Sequence, residues 1–271
     1  MISVGMLTRE HEPKVPSALA SSSPLAGSRG AHQELVQENE ATFPDADPSH
    51  LHHLVVLGHP ASDSFNHAIA REYCDAVRAC GQVPVLRDLY GLGFDPLLKA
   101  HERPGAADFA LSPDVERELT LIYRCSAVTM IYPIWFGMPP AIITGYVDRV
   151  LGAGLTPKAI REGQRHDTLF NKQLVLITTS GSTKPWLAER GQWHGLREAF
   201  DFYLESIFSF ADCQHEHFDT IVSPLLPDYA QECLGRVAQQ ARQTCSTVLS
   251  TAHERQKRLK LGLWRQAHRV A

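Results

Sequence analysis

Two kinds of apolar pattern alternate along the chain. His53-Leu54-Val55-Val56-Leu57-Gly58 is a short, nearly continuous apolar run, as expected of a strand buried on both faces. The next stretch, 64–79, carries Phe65, Ile69, Tyr73, Ala76 and Val77 at helical spacing, and Gly81 supplies a stop. The same alternation predicts strands over 83–89, 127–132, 174–179 and 213–222, and helices over 114–123, 140–151, 195–208 and 228–252. Pro113 and Pro140 stand at the mouths of two of these helices, where an N–H has no partner to lose. Five strand–helix repeats imply an α/β domain, a parallel sheet covered by helices on both faces. Ligands of such sheets bind beyond the carboxyl ends of the strands. The turns that follow the strands are therefore where chemistry is expected.

Composition narrows the class. The chain has 271 residues, 44% of them hydrophobic, enough for a sizeable core. A net charge of −4 argues against nucleic acid, which needs clustered Lys and Arg. The six cysteines contain no C-x-x-C pair, so they read as reduced thiols of a cytoplasmic protein rather than a zinc or redox motif. No apolar h-region opens the chain. The uncharged stretch 127–143 is short for a bilayer and is interrupted by Pro133, Pro139 and Pro140.

Three regions are expected: a tail over 1–49, a folded domain over 50–252 and a basic extension over 253–271. Residues 17–30 are rich in Ser, Ala, Pro and Gly, and the whole tail is too poor in apolar surface to offset its ordering entropy. It reads as disordered, or as sequence ahead of the true start, with targeting or docking as the alternative. The extension sets Arg255, Lys257, Arg258, Lys260, Arg265 and Arg269 against Glu254 alone. With Leu259, Leu261, Leu263 and Trp264 it could touch a membrane surface or an acidic partner. A frayed helix or a dimer arm is the plainer reading.

Three turns carry candidate chemistry. After the first strand, Gly58-His59-Pro60-Ala61-Ser62-Asp63-Ser64-Phe65-Asn66 leads into a helix that Ser64 can cap, leaving free amides for an anion. A plain cap is the alternative. No G-x-G-x-x-G follows this strand, which disfavours a dinucleotide-type nicotinamide site. After the third strand, Tyr132-Pro133-Ile134-Trp135-Phe136-Gly137 puts aromatic and rigid residues in a loop, suited to a planar ring or to a core or dimer contact. After the fourth, Thr178-Thr179-Ser180-Gly181-Ser182 lets backbone amides approach a ligand closely.

Together these segments resemble the flavodoxin-like NAD(P)H:quinone oxidoreductase family. The first turn resembles its H-x-x-x-x-S-F-N motif. Asp88-Leu89-Tyr90 with Gly93-Phe94-Asp95-Pro96 resembles its D-L-Y…F-D-P stretch. The third turn resembles its P-[LI]-x-W-F block, continued by Gly145-Tyr146-Val147-Asp148-Arg149-Val150, and the fourth its T-T-x-G turn. The likeness covers roughly 53–250 in order and spacing. It implies a flavodoxin-like three-layer αβα sandwich whose five-stranded parallel sheet runs in the order 2-1-3-4-5. It implies a flavin, FAD or FMN with FAD preferred, and NAD(P)H as co-substrate. By the same resemblance His59, Ser64, Phe65 and Asn66 hold the flavin phosphate and ribityl chain. Pro133, Ile134, Trp135 and Phe136 line the ring, and Thr178, Thr179, Ser180 and Gly181 meet its pyrimidine edge. Asp63, a carboxylate beside a phosphate, must point away.

The activity implied is ping-pong transfer of two electrons, as hydride, from NAD(P)H to a quinone-like acceptor, in a homodimer. The family places a Tyr and a His past the fourth turn. His194 matches the His and is the candidate proton-transfer residue, a surface His being the alternative, and Trp186 stands where the Tyr is expected. Asp148 and Arg149 read as structural. Two other functions stay open: a regulatory ancillary subunit of a potassium efflux transporter, suggested by the basic tail, and a flavodoxin-type electron carrier. No metal site is expected. Cys213, His215 and His217 alternate on one strand and His50, His52 and His53 cluster, but a polar strand face and a solvated linker are simpler readings.

Overall fold

Strands β1 (His52–Leu57), β2 (Val83–Asp88), β3 (Cys125–Pro133), β4 (Gln173–Thr179) and β5 (Asp212–Phe218) pair in parallel in one sheet, ordered β2-β1-β3-β4-β5. This is the order expected from the resemblance. The structure is a computed structural model that describes residues 47–163 and 168–267. The predicted tail over 1–49 thus lies almost wholly outside the described residues, as do the last four residues of the basic extension.

Helices cover both faces. On one face α1 (Phe65–Ala79) and α8 (Pro227–Ala267) pack on the sheet through Ile69, Tyr73, Val77, Val237 and Ala241. On the other, α2 (Pro113–Arg124) and α3 (Ala141–Tyr146) close a second core with Leu119, Ile122, Ile143 and Tyr146. That face also carries α6 (Gln192–Leu196) and α7 (Phe202–Phe208), joined by a π-helical turn, Arg197–Asp201. Two short helices, α4 (Pro157–Arg161) and α5 (Lys184–Glu189), lie in connections. β1, β3 and β4 are covered on both sides and are buried almost throughout, which is why they read as continuous apolar runs. The chain leaves β1 for β2 on one side and returns to β3 on the other, so β1 and β3 flank the switch point of the sheet.

Local chemistry sets the boundaries. Ser64 caps α1, its hydroxyl accepting from the His67 amide, and Gly81 turns the chain at φ 76° after the helix. A second π-helical turn, Val147–Leu151, carries α3 onward and buries Arg149. The Arg149 guanidinium donates to Glu102 Oε1 (2.6 Å) and Oε2 (2.8 Å), to Asp114 (2.7 Å) and to the Asp95 carbonyl (2.5 Å). Those hydrogen bonds hold the Glu102 carboxyl down to about 2. Gly145 lies so close to Pro96 that a Cβ there would sit 2.3 Å from its carbonyl oxygen. The helix that follows the third turn is thus tied to the 95–114 connection by packing and charge.

Three expectations are corrected. β5 stops at Phe218, not at residue 222, because Thr220 takes φ 56° and Ile221 folds back to donate to the Ser180 carbonyl. The closing helix does not end at 252: α8 continues through the basic stretch to Ala267. His53 belongs to no solvated linker. It is buried in β1 with Nε2 2.6 Å from Gln82 Oε1, and burial pulls its ring down to about 4. Among the described residues no helix is long and apolar enough to cross a membrane.

Candidate active site

Three turns at the carboxyl ends of β1, β3 and β4 meet around a cleft of about 150 Å³. The first supplies His59, Ser64, Phe65 and Asn66. As first-turn residues of α1, Phe65 and Asn66 have amides without an intrahelical acceptor, an arrangement suited to an anion. The Ala61 amide donates to His59 Nδ1 (3.1 Å), and partial burial lowers the His59 ring. Asp63 is exposed and does not line the cleft, as a phosphate reading requires.

Pro133, Ile134 and Trp135 form the second side. The Ile134 amide donates to the Thr179 carbonyl (2.7 Å), locking the third turn to the fourth. Trp135 and Met138 exchange backbone hydrogen bonds of 3.0 Å around Phe136 (φ 53°) and Gly137 (φ 80°). Positive φ at both central residues makes this a tight primed turn, natural for Gly137 and strained for Phe136. The Trp135 ring lies 5.8 Å from that of His59.

Thr179, Ser180 and Gly181 make the third side, with Ile221 beside them. Asn66 Nδ2 donates to Thr179 Oγ1 (3.0 Å) across 113 positions of sequence, joining the first turn to the fourth. The Ser180 amide donates to the Phe218 carbonyl (3.0 Å). A profile of the flavodoxin-like fold matches residues 51–241, every turn of this cleft included.

The chain belongs to the flavodoxin-like fold family. An uncharacterized NAD(P)H oxidoreductase of Haemophilus influenzae is 29% identical over 201 residues, 73% of this chain and 98% of its own. NAD(P)H dehydrogenase [quinone] 1 of Rattus norvegicus is 30% identical over 147 residues, but the match spans only 53% of the rat protein and 48% of this chain. The NAD(P)H:quinone oxidoreductase from Methanothermobacter marburgensis superposes with a TM-score of 0.61 over 71% of this chain and 98% of its own; at 23% identity that likeness speaks for the fold. The enzyme class implied by the sequence motifs is the class these relatives carry by name.

Not every candidate residue of this flavodoxin-like chain reaches the cleft. Phe136 stands beside it with its ring wholly exposed. Thr178 turns its hydroxyl the other way, to 2.7 Å from His215 Nε2 and 2.8 Å from His217 Nδ1. His194, on α6, is 80% exposed at its side chain and lies 4.0 Å from Glu198, which fits the surface alternative as it stands. Trp186, on α5, stacks under Arg190 at 5.0 Å.

Other groups were missed by sequence reasoning. Ile221 is one, since the chain doubles back where a strand was expected. His67 is another: its Nδ1 is 2.9 Å from Ser64 Oγ and its Nε2 3.2 Å from Asp88 Oδ2, fixing the cap residue from behind. The H-x-x-x-x-S-F-N spacing followed by His and a later Asp was the available signal. The third group is on β5. His215 and His217 do not form an exposed polar face. They are buried under the Trp193 ring, at 5.0 and 4.9 Å, and His217 Nε2 is 3.1 Å from Ser180 Oγ. Burial beside His215 holds the His217 ring down to about 4.

Proposed function

We propose that this chain is a flavin-dependent NAD(P)H oxidoreductase that passes two electrons by hydride transfer to a quinone-type acceptor, in ping-pong fashion. The observation that carries this reading is the convergence of an anion site, a flat apolar wall and a turn of small residues, Thr179–Gly181, on one cleft. A flavin phosphate requires the first, its ring the second and its pyrimidine edge the third. The cleft is smaller than the 300–1,000 Å³ usual for ligand pockets, and it takes the phosphate end and one ring edge. Trp135 and the exposed Phe136 stand where they could cover the rest of a bound ring. A second copy of the chain, as in a homodimer, would supply the missing cover.

A bound flavin would supply the hydride-accepting and hydride-donating chemistry. The protein binds and orients. The amides of Phe65 and Asn66 hold a phosphate. Pro133 and Ile134 offer a rigid floor, and Trp135 an aromatic edge. Of the Thr179–Gly181 turn, the Ser180 amide already serves the Phe218 carbonyl and Thr179 belongs to β4, so the Gly181 amide is the donor that would meet developing negative charge, as oriented donors do in oxyanion holes. The phosphate site serves FMN and FAD alike, so chromatography of the heat-released flavin decides between them. Purified protein should carry a yellow flavin and oxidise NADPH when menadione is present. Protein that takes up neither FMN nor FAD would overturn the reading; yellow protein without NADPH oxidation would leave an electron carrier.

A further inference from the structure

Behind the cleft wall runs a line of buried polar groups. Asp201 ends the π-helical turn before α7, His215 and His217 sit on β5, and Thr178 and Ser180 sit at the end of β4. His215 Nδ1 is 2.5 Å from Asp201 Oδ2, and His215 Nε2 is 2.7 Å from Thr178 Oγ1. Thr178 Oγ1 is 2.8 Å from His217 Nδ1, and His217 Nε2 is 3.1 Å from Ser180 Oγ. Of the five, only Ser180 lines the cleft.

Each contact needs one proton, and counting them fixes their direction. Ser180 Oγ lies 2.7 Å from the Ser182 carbonyl, which can only accept, so Ser180 donates there. His217 Nε2–H then donates to Ser180, the Thr178 hydroxyl to a bare His217 Nδ1, and His215 Nε2–H to Thr178. A neutral His217, as its burial requires, fits this order. The last contact, between His215 and Asp201, also needs a proton. That pair therefore holds one proton more than a neutral ring and a carboxylate. Arg197 Nε, 3.4 Å from the same Asp201 oxygen, favours the carboxylate and leaves the proton on the ring. Tyr132 and Cys213 face Asp201, and Lys184 and Asp219 face His217.

We propose that Asp201, His215, Thr178, His217 and Ser180 form a proton relay that delivers one proton through Ser180 to the group bound in the cleft. The delivery rests on the flavin reading above; the relay's proton order does not. In the step, Ser180 turns from Ser182 to the bound acceptor atom and its O–H bond breaks in favour of that atom. Ser180 takes the Nε2 proton of His217, His217 Nδ1 takes the Thr178 proton, and Thr178 takes the Nε2 proton of His215. His215 ends neutral, with Nδ1–H on the Asp201 carboxylate. One proton leaves and every bond made is matched by one broken. All four contacts remain bonded, the three from His215 to Ser180 with their polarity reversed and the His215–Asp201 bond with the same donor, and only the Ser182 carbonyl loses its donor. Such a chain has two satisfied states one proton apart. Charge arriving with a hydride is neutralised by such a proton.

Histidine ¹⁵N NMR on flavin-free protein tests the order. At neutral pH His217 should carry its proton on Nε2 and His215 should carry two. When higher pH removes the proton from the Asp201–His215 pair, the His217 proton should move to Nδ1 at the same pH. Thr178→Val keeps the shape, removes the linking hydroxyl and should abolish that concerted switch. A wild-type His217 that keeps one tautomer while His215 loses its proton overturns the relay, whether or not the variant folds. Delivery is tested by stopped-flow reduction of FMN-loaded protein with reduced methyl viologen, whose oxidation neither takes up nor releases a proton, in the presence of a pH indicator. Proton uptake from solvent should lag flavin bleaching in the wild type and coincide with it in Thr178→Val. Coincidence in the wild type overturns the delivery. Failure to bind FMN, with the tautomer switch intact, would count against the flavin reading and the delivery, and leave the proton order standing.

Discussion

The two sides of the cleft are built on different principles. The side made by the start of α1 and the end of β4 is closed by the chain itself. Asn66 bonds Thr179, Ile134 bonds the Thr179 carbonyl, Ser180 bonds Phe218 and His217, and these groups are buried. The opposite rim, from Trp135 to Met138, presents half- or fully exposed side chains. Its most exposed ring, Phe136, is held at φ 53° with nothing packed on it. Where polar groups satisfy each other between elements, a site is preorganised before any ligand arrives. Where strain and bare apolar surface coincide, the offsetting contact has to come from outside the fold.

The comparison fails if the open rim simply sits on a loose base. Arg149→Leu tests that. Glu102 would be left buried and unpaired, which costs about 3–5 kcal/mol. Urea denaturation should show that loss, and Arg149→Leu with Glu102→Gln should recover part of it. A loss below about 1 kcal/mol would mean that the helix following the third turn is held by something else.

Acid should attack the closed side first. His217, behind Ser180, sits near 4 in the fold and 6.5 when free, and His53 does the same in β1. Between those values the unfolded chain binds more protons, so stability falls as pH drops from about 6.5 toward 4 and is fully present above that window. For His217 the loss is on the order of 3 kcal/mol. Glu102, held near 2, adds a second loss between its ordinary 4.5 and 2. Denaturant midpoints measured from pH 7 to pH 4 should fall, and His217→Phe should flatten the upper part of that slope. An unchanged slope in that variant would place the acid-sensitive groups elsewhere.

Much of this was legible in the sequence, and the limits have physical causes. The sheet order followed from the family likeness, and the buried strands from their unbroken apolar runs. Ser64 was readable as a cap because capping is local. The Asn66–Thr179 bond was not, since nothing in either segment's own pattern names a partner 113 positions away. His215 and His217 looked like a polar face because alternation along a strand does not say what covers it. Here Trp193 does, from another helix. Thr178 and Thr179 are neighbours in one motif, but period-two alternation sends their side chains to opposite faces. The motif could not show that one meets the cleft and the other the buried histidines.

The Asn66–Thr179 bond is the sharpest probe of the closed side. Asn66→Ala and Thr179→Val should each cost about 1–3 kcal/mol, because each leaves a buried partner unsatisfied. Their double variant should cost less than the sum, as expected for residues in contact. Each should also weaken FMN binding in a fluorescence titration, since the first and fourth turns would no longer be held in register. Additive costs would show that the two turns are positioned independently.

Phe136 gives the smallest effect on stability, and one of opposite sign. A left-handed backbone costs a non-glycine residue roughly 1–2 kcal/mol, and glycine is free of that penalty. Phe136→Gly should therefore leave the isolated protein as stable as before or more so, by up to about 1 kcal/mol once the added freedom of the unfolded glycine is subtracted. No buried contact is lost, because the ring is wholly exposed. If the ring serves to cover a planar acceptor or cofactor, the same variant should raise the menadione KM by about three- to tenfold, the worth of one aromatic contact. Thermal unfolding and steady-state kinetics on one preparation read both. A gain in stability with no change in KM would show that the strained ring serves something other than the cleft, and the open rim would then be a surface for another partner.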